Sequence, residues 1–145
     1  MGNIRRALGF DYGTRQIGVA NGQSLTGNAE ELCVLRARDG VPDWEQLGRL
    51  IREWQPTDLV IGLPLNMDGS PSEMSARAEK FARRLHGRFN LPVHMVDERL
   101  STFEAKSSLR EAARSPGSYR EQPVDGLAAA LLLQSWLASL DEESA

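Results

Sequence analysis

Residues 8–20 read Leu-Gly-Phe-Asp-Tyr-Gly-Thr-Arg-Gln-Ile-Gly-Val-Ala, and the fold turns on how they are read. An apolar run (Ala7, Leu8, Phe10) carries one carboxylate, Asp11. A glycine turn at Gly13 follows, then a second apolar run of Ile17, Val19 and Ala20. This pattern predicts a central β-hairpin with an acid on its first strand. A charge on a buried strand is costly unless it is paired or meets a cation. Asp11 is therefore either a turn residue bonding the amides of Gly13 and Thr14, or an acid that handles metal or phosphate.

Outward from the hairpin, residues 5–11 and 16–21 form its strands, and a third strand follows at 31–37. The connections are too short for parallel crossovers, so the three make an antiparallel meander. Asp39-Gly40 and Pro42 break the chain. Asp43, with Gln46 three residues on, caps a helix over 44–55 whose Trp44, Leu47, Leu50, Ile51 and Trp54 form one apolar face. Pro56 ends it. Residues 59–63 are continuously apolar, as expected of a strand buried on both faces. The Pro-, Gly-, Asn- and Ser-rich stretch 64–72 is a long loop with functional potential. A helix over 73–88, a strand over 93–96 and a helix over 102–113 follow, the last opened by a Ser101/Glu104 capping box. The final helix, 123–139, is apolar almost all round at 127–133 and is expected to be central. One mixed α/β sheet of five strands, a meander and then parallel strands, flanked by helices, accounts for this order. Residues 1–140 form one domain. Residues 141–145, with Asp141, Glu142 and Glu143, are an acidic tail expected to be disordered.

The chain has 145 residues, enough for a sizeable core. No apolar run approaches the ~20 residues of a membrane span, and no signal sequence follows Arg5 and Arg6. The lone Cys33 excludes an internal disulfide and suits a reducing, cytoplasmic setting. A net charge of −3 argues against a protein held on nucleic acid by bulk charge alone. It leaves room for a nuclease whose acids are neutralised by metal. Residues 99–120 are locally basic, with five basic residues against two acidic ones.

Three acids fall where strand ends and helix starts present site residues: Asp11, Glu98 just past the last strand, and Asp125 in the first turn of the last helix. A helix N-terminus keeps Asp125 ionised. Close carboxylates repel unless a cation sits among them. Oxygen donors without a Cys or His cluster point to Mg²⁺ or Mn²⁺, not Zn²⁺. Taken singly, Asp125 is equally well a solvated residue favouring a helix start, and Glu98 a partner of Arg99 or Lys106. Asp97 rivals Glu98, because adjacent strand residues face opposite ways. Arg15, Asn66, Ser70, Arg99, Ser101 and Thr102 lie near the same ends and are candidate phosphate contacts. His86 and His94 lack ligand spacing and read as structural; Trp44 and Trp54 read as core.

Four segments, Gly9-Phe10-Asp11-Tyr12-Gly13-Thr14-Arg15 through Ala20, Gly62-Leu63-Pro64-Leu65-Asn66-Met67-Asp68-Gly69-Ser70, Val96-Asp97-Glu98-Arg99-Leu100-Ser101-Thr102 and Asp125-Gly126-Leu127-Ala128-Ala129-Ala130, occur in this order. Together they resemble the bacterial YqgF family, which takes in Holliday-junction-resolvase-like proteins and nucleases that mature precursor 16S ribosomal RNA. The resemblance covers about residues 5–138. It implies a ribonuclease-H-like fold, metal-binding catalytic acids at Asp11, Glu98 and Asp125, and support of the site or scissile phosphate by Arg99 and Thr102. The 62–70 loop, with Asn66, would lie along the substrate, beside Arg15. Better-known resolvases of this fold carry an acid at the end of the fourth strand, where this chain has Gly-Leu-Pro-Leu with Asp68 nearest. Many relatives also have a lysine before the last aspartate, where this chain has Arg120-Glu121-Gln122-Pro123.

The leading expectation is a metal-dependent nuclease on structured nucleic acid, with precursor 16S rRNA favoured and a ribosomal particle as a further partner. The alternatives are a resolvase of four-way DNA junctions, which would work as a homodimer where the RNA enzyme can be a monomer, and a non-cleaving RNA- or ribosome-associated factor. Asp11-Tyr12-Gly13-Thr14 also resembles an actin-like kinase phosphate loop, but one domain of this length cannot supply the two around a kinase cleft.

Overall fold

A computed structural model describes residues 4–66, 68–97 and 124–144, with backbone alone for 124–126 and 141–144. The hairpin is central, as expected. β1 (Arg6–Asp11) pairs antiparallel with β2 (Gln16–Gln23), and β2 with β3 (Ala29–Arg38). A two-residue strand, β4 (Val41–Pro42), then folds back on β3. β5 (Asp58–Leu63) lies parallel to β1, and β6 (Val93–Asp97) parallel to β5. The sheet order is β4-β3-β2-β1-β5-β6.

Six strands thus stand where five were expected. The extra one is short because it sits on an edge, where Pro42 costs no ladder bond. Its turn, Asp39 (φ 50) and Gly40 (φ 82), has both central residues left-handed, the conformation of the Asp-Gly hairpin turn.

Each face of the sheet has its own core. Leu8, Phe10, Ile17, Val19, Leu35, Leu59 and Ile61 pack under α1 (Trp44–Trp54) and α2 (Glu73–Phe89). Ala7, Ala20 and Val60 meet α3 (Val124–Ser144) through Ala129, Leu133, Trp136 and Leu137. The Asp43 side chain accepts from Glu45 N and Gln46 N at the start of α1. Ser72 and Ser75 form a reciprocal capping box on α2. Of the two tryptophans expected in the core, Trp44 packs against Phe81 at 5.9 Å, but Trp54 ends α1 with 38% of its surface exposed. Residues 141–144 continue α3. The expected helix over 102–113 lies outside the described residues.

Candidate active site

Asp11 closes β1 at the carboxyl end of the sheet. By alternation it shares a face with Ala7 and Gly9, on the α3 side, while Leu8 and Phe10 face α1 and α2. Close approaches show how α3 runs past this strand. A Cβ added to Gly9 would lie 2.9 Å from Leu133 Cβ and 3.3 Å from the Ala129 carbonyl. One added to Gly22, which pairs with Ala7, would lie 2.9 Å from Leu137 Cδ1. The helix therefore runs antiparallel to β1. Two residues up β1 is about 6.7 Å, and four residues back along α3 is about 6 Å. Asp11 thus lies toward the amino-terminal end of α3, the end at which the backbone of Asp125 lies.

The register of β6 sets the face of Asp97, the rival of Glu98. Val93 and Met95 pack into the α1/α2 core, while Val96 belongs to the α3 core and His94 stacks on Trp136 at 4.9 Å. Asp97, paired with Leu63, falls on the α2 side, opposite Asp11. Glu98, Arg99 and Thr102 lie outside the described residues. Among the described residues no three His, Cys, Asp or Glu side chains converge on a metal position.

Arg15 is exposed in the hairpin loop, beside a shallow pocket of about 250 Å³ lined by residues 11–16. The loop is held from β3 and its turn: the Ala37 N–H donates to the Arg15 carbonyl and the Gly40 N–H to the Thr14 carbonyl, both at 2.8 Å. Asn66 braces its own loop. Its Nδ2 donates to Ser70 Oγ at 3.0 Å and to the Pro71 carbonyl at 3.2 Å. Asp68, the acid nearest the end of β5, accepts from Ser70 N and Ser70 Oγ at 2.9 and 2.6 Å. The Ser72 hydroxyl donates to the Pro64 carbonyl and ties this loop to the start of α2.

At the opposite, amino end of the sheet the sequence reading missed a second polar cluster. Asp58 is 2% exposed. It accepts from Arg5 Nη2 at 2.8 Å and Nε at 3.1 Å, from Thr57 Oγ1 at 2.7 Å, and bonds His94 Nε2 at 2.9 Å. Burial pushes the carboxyl up, but the hydrogen bonds from Arg5, Thr57 and His94 outweigh it and hold Asp58 at about 2. Arg5 also lies over Trp136, 5.5 Å from the ring centroid. The cluster joins β1, β5 and β6 to α3 and so fixes the far end of the helix whose amino-terminal end runs toward Asp11. An acid opening an otherwise apolar strand was the available signal. His86, the other histidine read as structural, bonds the Leu91 carbonyl at 3.0 Å beyond the end of α2.

Asp11 itself offers carboxylate oxygens, and both histidines are engaged elsewhere. A carboxylate donor fits a hard divalent cation.

A mixed sheet with helices on both faces and an acid at the carboxyl end of its central first strand is a ribonuclease-H-like fold. The chain shares this fold with RuvC of T. thermophilus, solved in complex with a Holliday junction substrate (15% identity, 94% of this chain and 96% of that one, TM-score 0.55). It also shares it with the Fowlpox virus resolvase (13%, 93% and 98%, TM-score 0.57). Within this fold, the chain belongs to the RuvX family, described as Holliday junction resolvase, whose family model matches residues 5–139. A Pseudomonas putida protein named "Putative pre-16S rRNA nuclease" is 66% identical over 137 residues, covering 94% of this chain and 97% of its own. An Azotobacter vinelandii protein of the same name is 66% identical over 138 residues, covering 95% and 96%.

Proposed function

We propose that the chain is a divalent-metal-dependent nuclease that processes precursor 16S rRNA in the cytoplasm, on the RNA or on a ribosomal particle. The observation that carries this reading is the position of Asp11, at the carboxyl end of the central strand and toward the amino-terminal end of α3. High identity to relatives named for this substrate, over nearly their whole length, supports the choice of RNA. Asp11, Glu98 and Asp125 would hold the Mg²⁺ or Mn²⁺. The position of Asp97 on the opposite face favours Glu98 as the ligand from this segment. Such an ion, when bound, activates water and stabilises the leaving oxygen of a phosphodiester.

The chain's own residues do the remaining work. Arg15, Arg99 and Thr102 orient the scissile phosphate. Asn66 acts through the loop it braces, keeping residues 64–72 beside the site. The Asp58 cluster keeps α3 in register with Asp11. Junction resolution is the second reading, favoured by the family description, and it requires a dimer presenting two sites.

The test incubates purified protein with an end-labelled precursor 16S fragment and, in parallel, a four-way DNA junction, each with Mg²⁺, Mn²⁺ or EDTA. Metal-dependent cleavage of the RNA is expected. Cleavage of the junction alone would overturn the RNA reading, and cleavage of neither would overturn both.

A further inference from the structure

On the face of the sheet away from Asp11, a cleft of about 320 Å³ opens between α2, the start of α1 and the β3–β4 turn. Three cations line it: Arg77, Lys80 and Arg84. They follow one another at helical spacing along α2, so their charges extend over about 10 Å of helix axis. The floor is aromatic: Phe81 packs against Tyr12 at 5.1 Å and against Trp44 at 5.9 Å between centroids. A single carboxylate, Asp39, lines the cleft, and its Oδ1 meets Arg77 Nη1 at 3.1 Å.

This Asp39 is built into place. The Tyr12 hydroxyl donates to the Gly40 carbonyl at 3.0 Å, and Gly40 at φ 82 leaves no room for a side chain, since a Cβ would fall 1.9 Å from Tyr12 Oη. The turn is thereby bolted to the residue after Asp11. Tyr12 also lines the shallow pocket around Asp11, so the cleft and the candidate active site adjoin across the hairpin loop that carries Arg15.

We propose that this cleft is a second binding site for the substrate, taking the single-stranded phosphodiester backbone that flanks the cut. Cations spread along a helix match a run of phosphates, not a single one, as in the charged grooves that track a single strand. Asp39 occupies a phosphate position on Arg77 and yields it when the strand binds. The site rests on the nuclease reading above for its biological meaning, while its test does not require cleavage.

The test is fluorescence anisotropy of a labelled oligouridylate of about 12 nucleotides, in EDTA, over a salt series. Arg77→Gln/Lys80→Gln/Arg84→Gln should bind at least about tenfold more weakly. Its log–log salt slope should fall by about 2, at ~0.7 per lost phosphate contact on a single strand. The control variant Arg49→Gln/Arg52→Gln/Arg83→Gln removes three exposed charges that do not line the cleft. It should keep most of the affinity; equal losses in the two variants would mean diffuse attraction and overturn the proposal. Asp39→Asn keeps the shape and tolerates the left-handed turn. It should tighten binding about threefold, a gain that misfolding cannot mimic, and unchanged or weaker binding would overturn the proposal. If oligonucleotide binding follows these expectations while no substrate is cut, the cleft stands and the nuclease reading falls. If cleavage proceeds and the cleft variants bind normally, the reverse holds.

Discussion

Asp58→Asn separates the electrostatic clamp at the foot of the sheet from the rest of the stability. The folded carboxyl sits at about 2 against an ordinary 3.8. That gap is worth about 2.5 kcal/mol at ~1.4 kcal/mol per pKa unit. The sign follows from the folded value lying below the unfolded one: the contribution is complete above about pH 5 and is lost as the pH falls. About 1 kcal/mol should be gone by pH ~3 and about 2 kcal/mol by pH ~2. Asparagine keeps the shape but leaves the half-exposed Arg5 without its anion, so the variant should lose about 2–3 kcal/mol near neutral pH. Urea unfolding of both proteins from about pH 6 downward is the assay. The two stabilities should converge as the pH falls, because the wild type surrenders a term that the variant no longer has. A difference that stays constant down to pH ~2 would refute the assignment of the clamp to an ionised Asp58.

Other consequences are local. Gly9→Ala puts a methyl 2.9 Å from Leu133 Cβ. It should cost about 1–3 kcal/mol in thermal or urea unfolding, and it should reduce cleavage in protein that is still folded, because α3 is pushed off Asp11. Asp43→Ala removes the acceptor for Glu45 N and Gln46 N and should cost about 1 kcal/mol of stability with cleavage unchanged. Glu98→Gln should abolish metal-dependent cleavage while Asp97→Asn largely preserves it, since Asp97 faces away from Asp11; parallel rate measurements with the opposite pattern would reverse the ligand choice.

Much of this architecture can be read from residue pattern. The alternation around Asp11 and the glycine turn locate the hairpin, and the uninterrupted apolar run at 59–63 marks a strand covered on both faces. The caps at Asp43 and Ser72 lie where short polar side chains precede helical periodicity. β4 escapes because two residues hold no periodicity, although Asp39-Gly40 is a recognisable hairpin turn. The Asp58 cluster escapes for a different reason: its members Arg5, Thr57, Asp58 and His94 are brought together only by strand pairing. The face that Asp97 takes is equally out of reach of spacing, since a one-residue difference in register reverses it. Basic residues at 77, 80 and 84 look like a solvated helix face in the sequence. They become a cleft only when the β3–β4 turn closes over Tyr12.

The central claim is that Asp11 is one of the acids through which a divalent metal serves phosphodiester hydrolysis. The most direct measurement is the single-turnover rate of precursor 16S cleavage by wild type and Asp11→Asn across a Mg²⁺ titration, with folding of both checked by thermal unfolding. The account predicts a loss of more than about 100-fold in a variant that is fully folded. A folded Asp11→Asn protein that cleaves at the wild-type rate, with the same metal dependence, would contradict it.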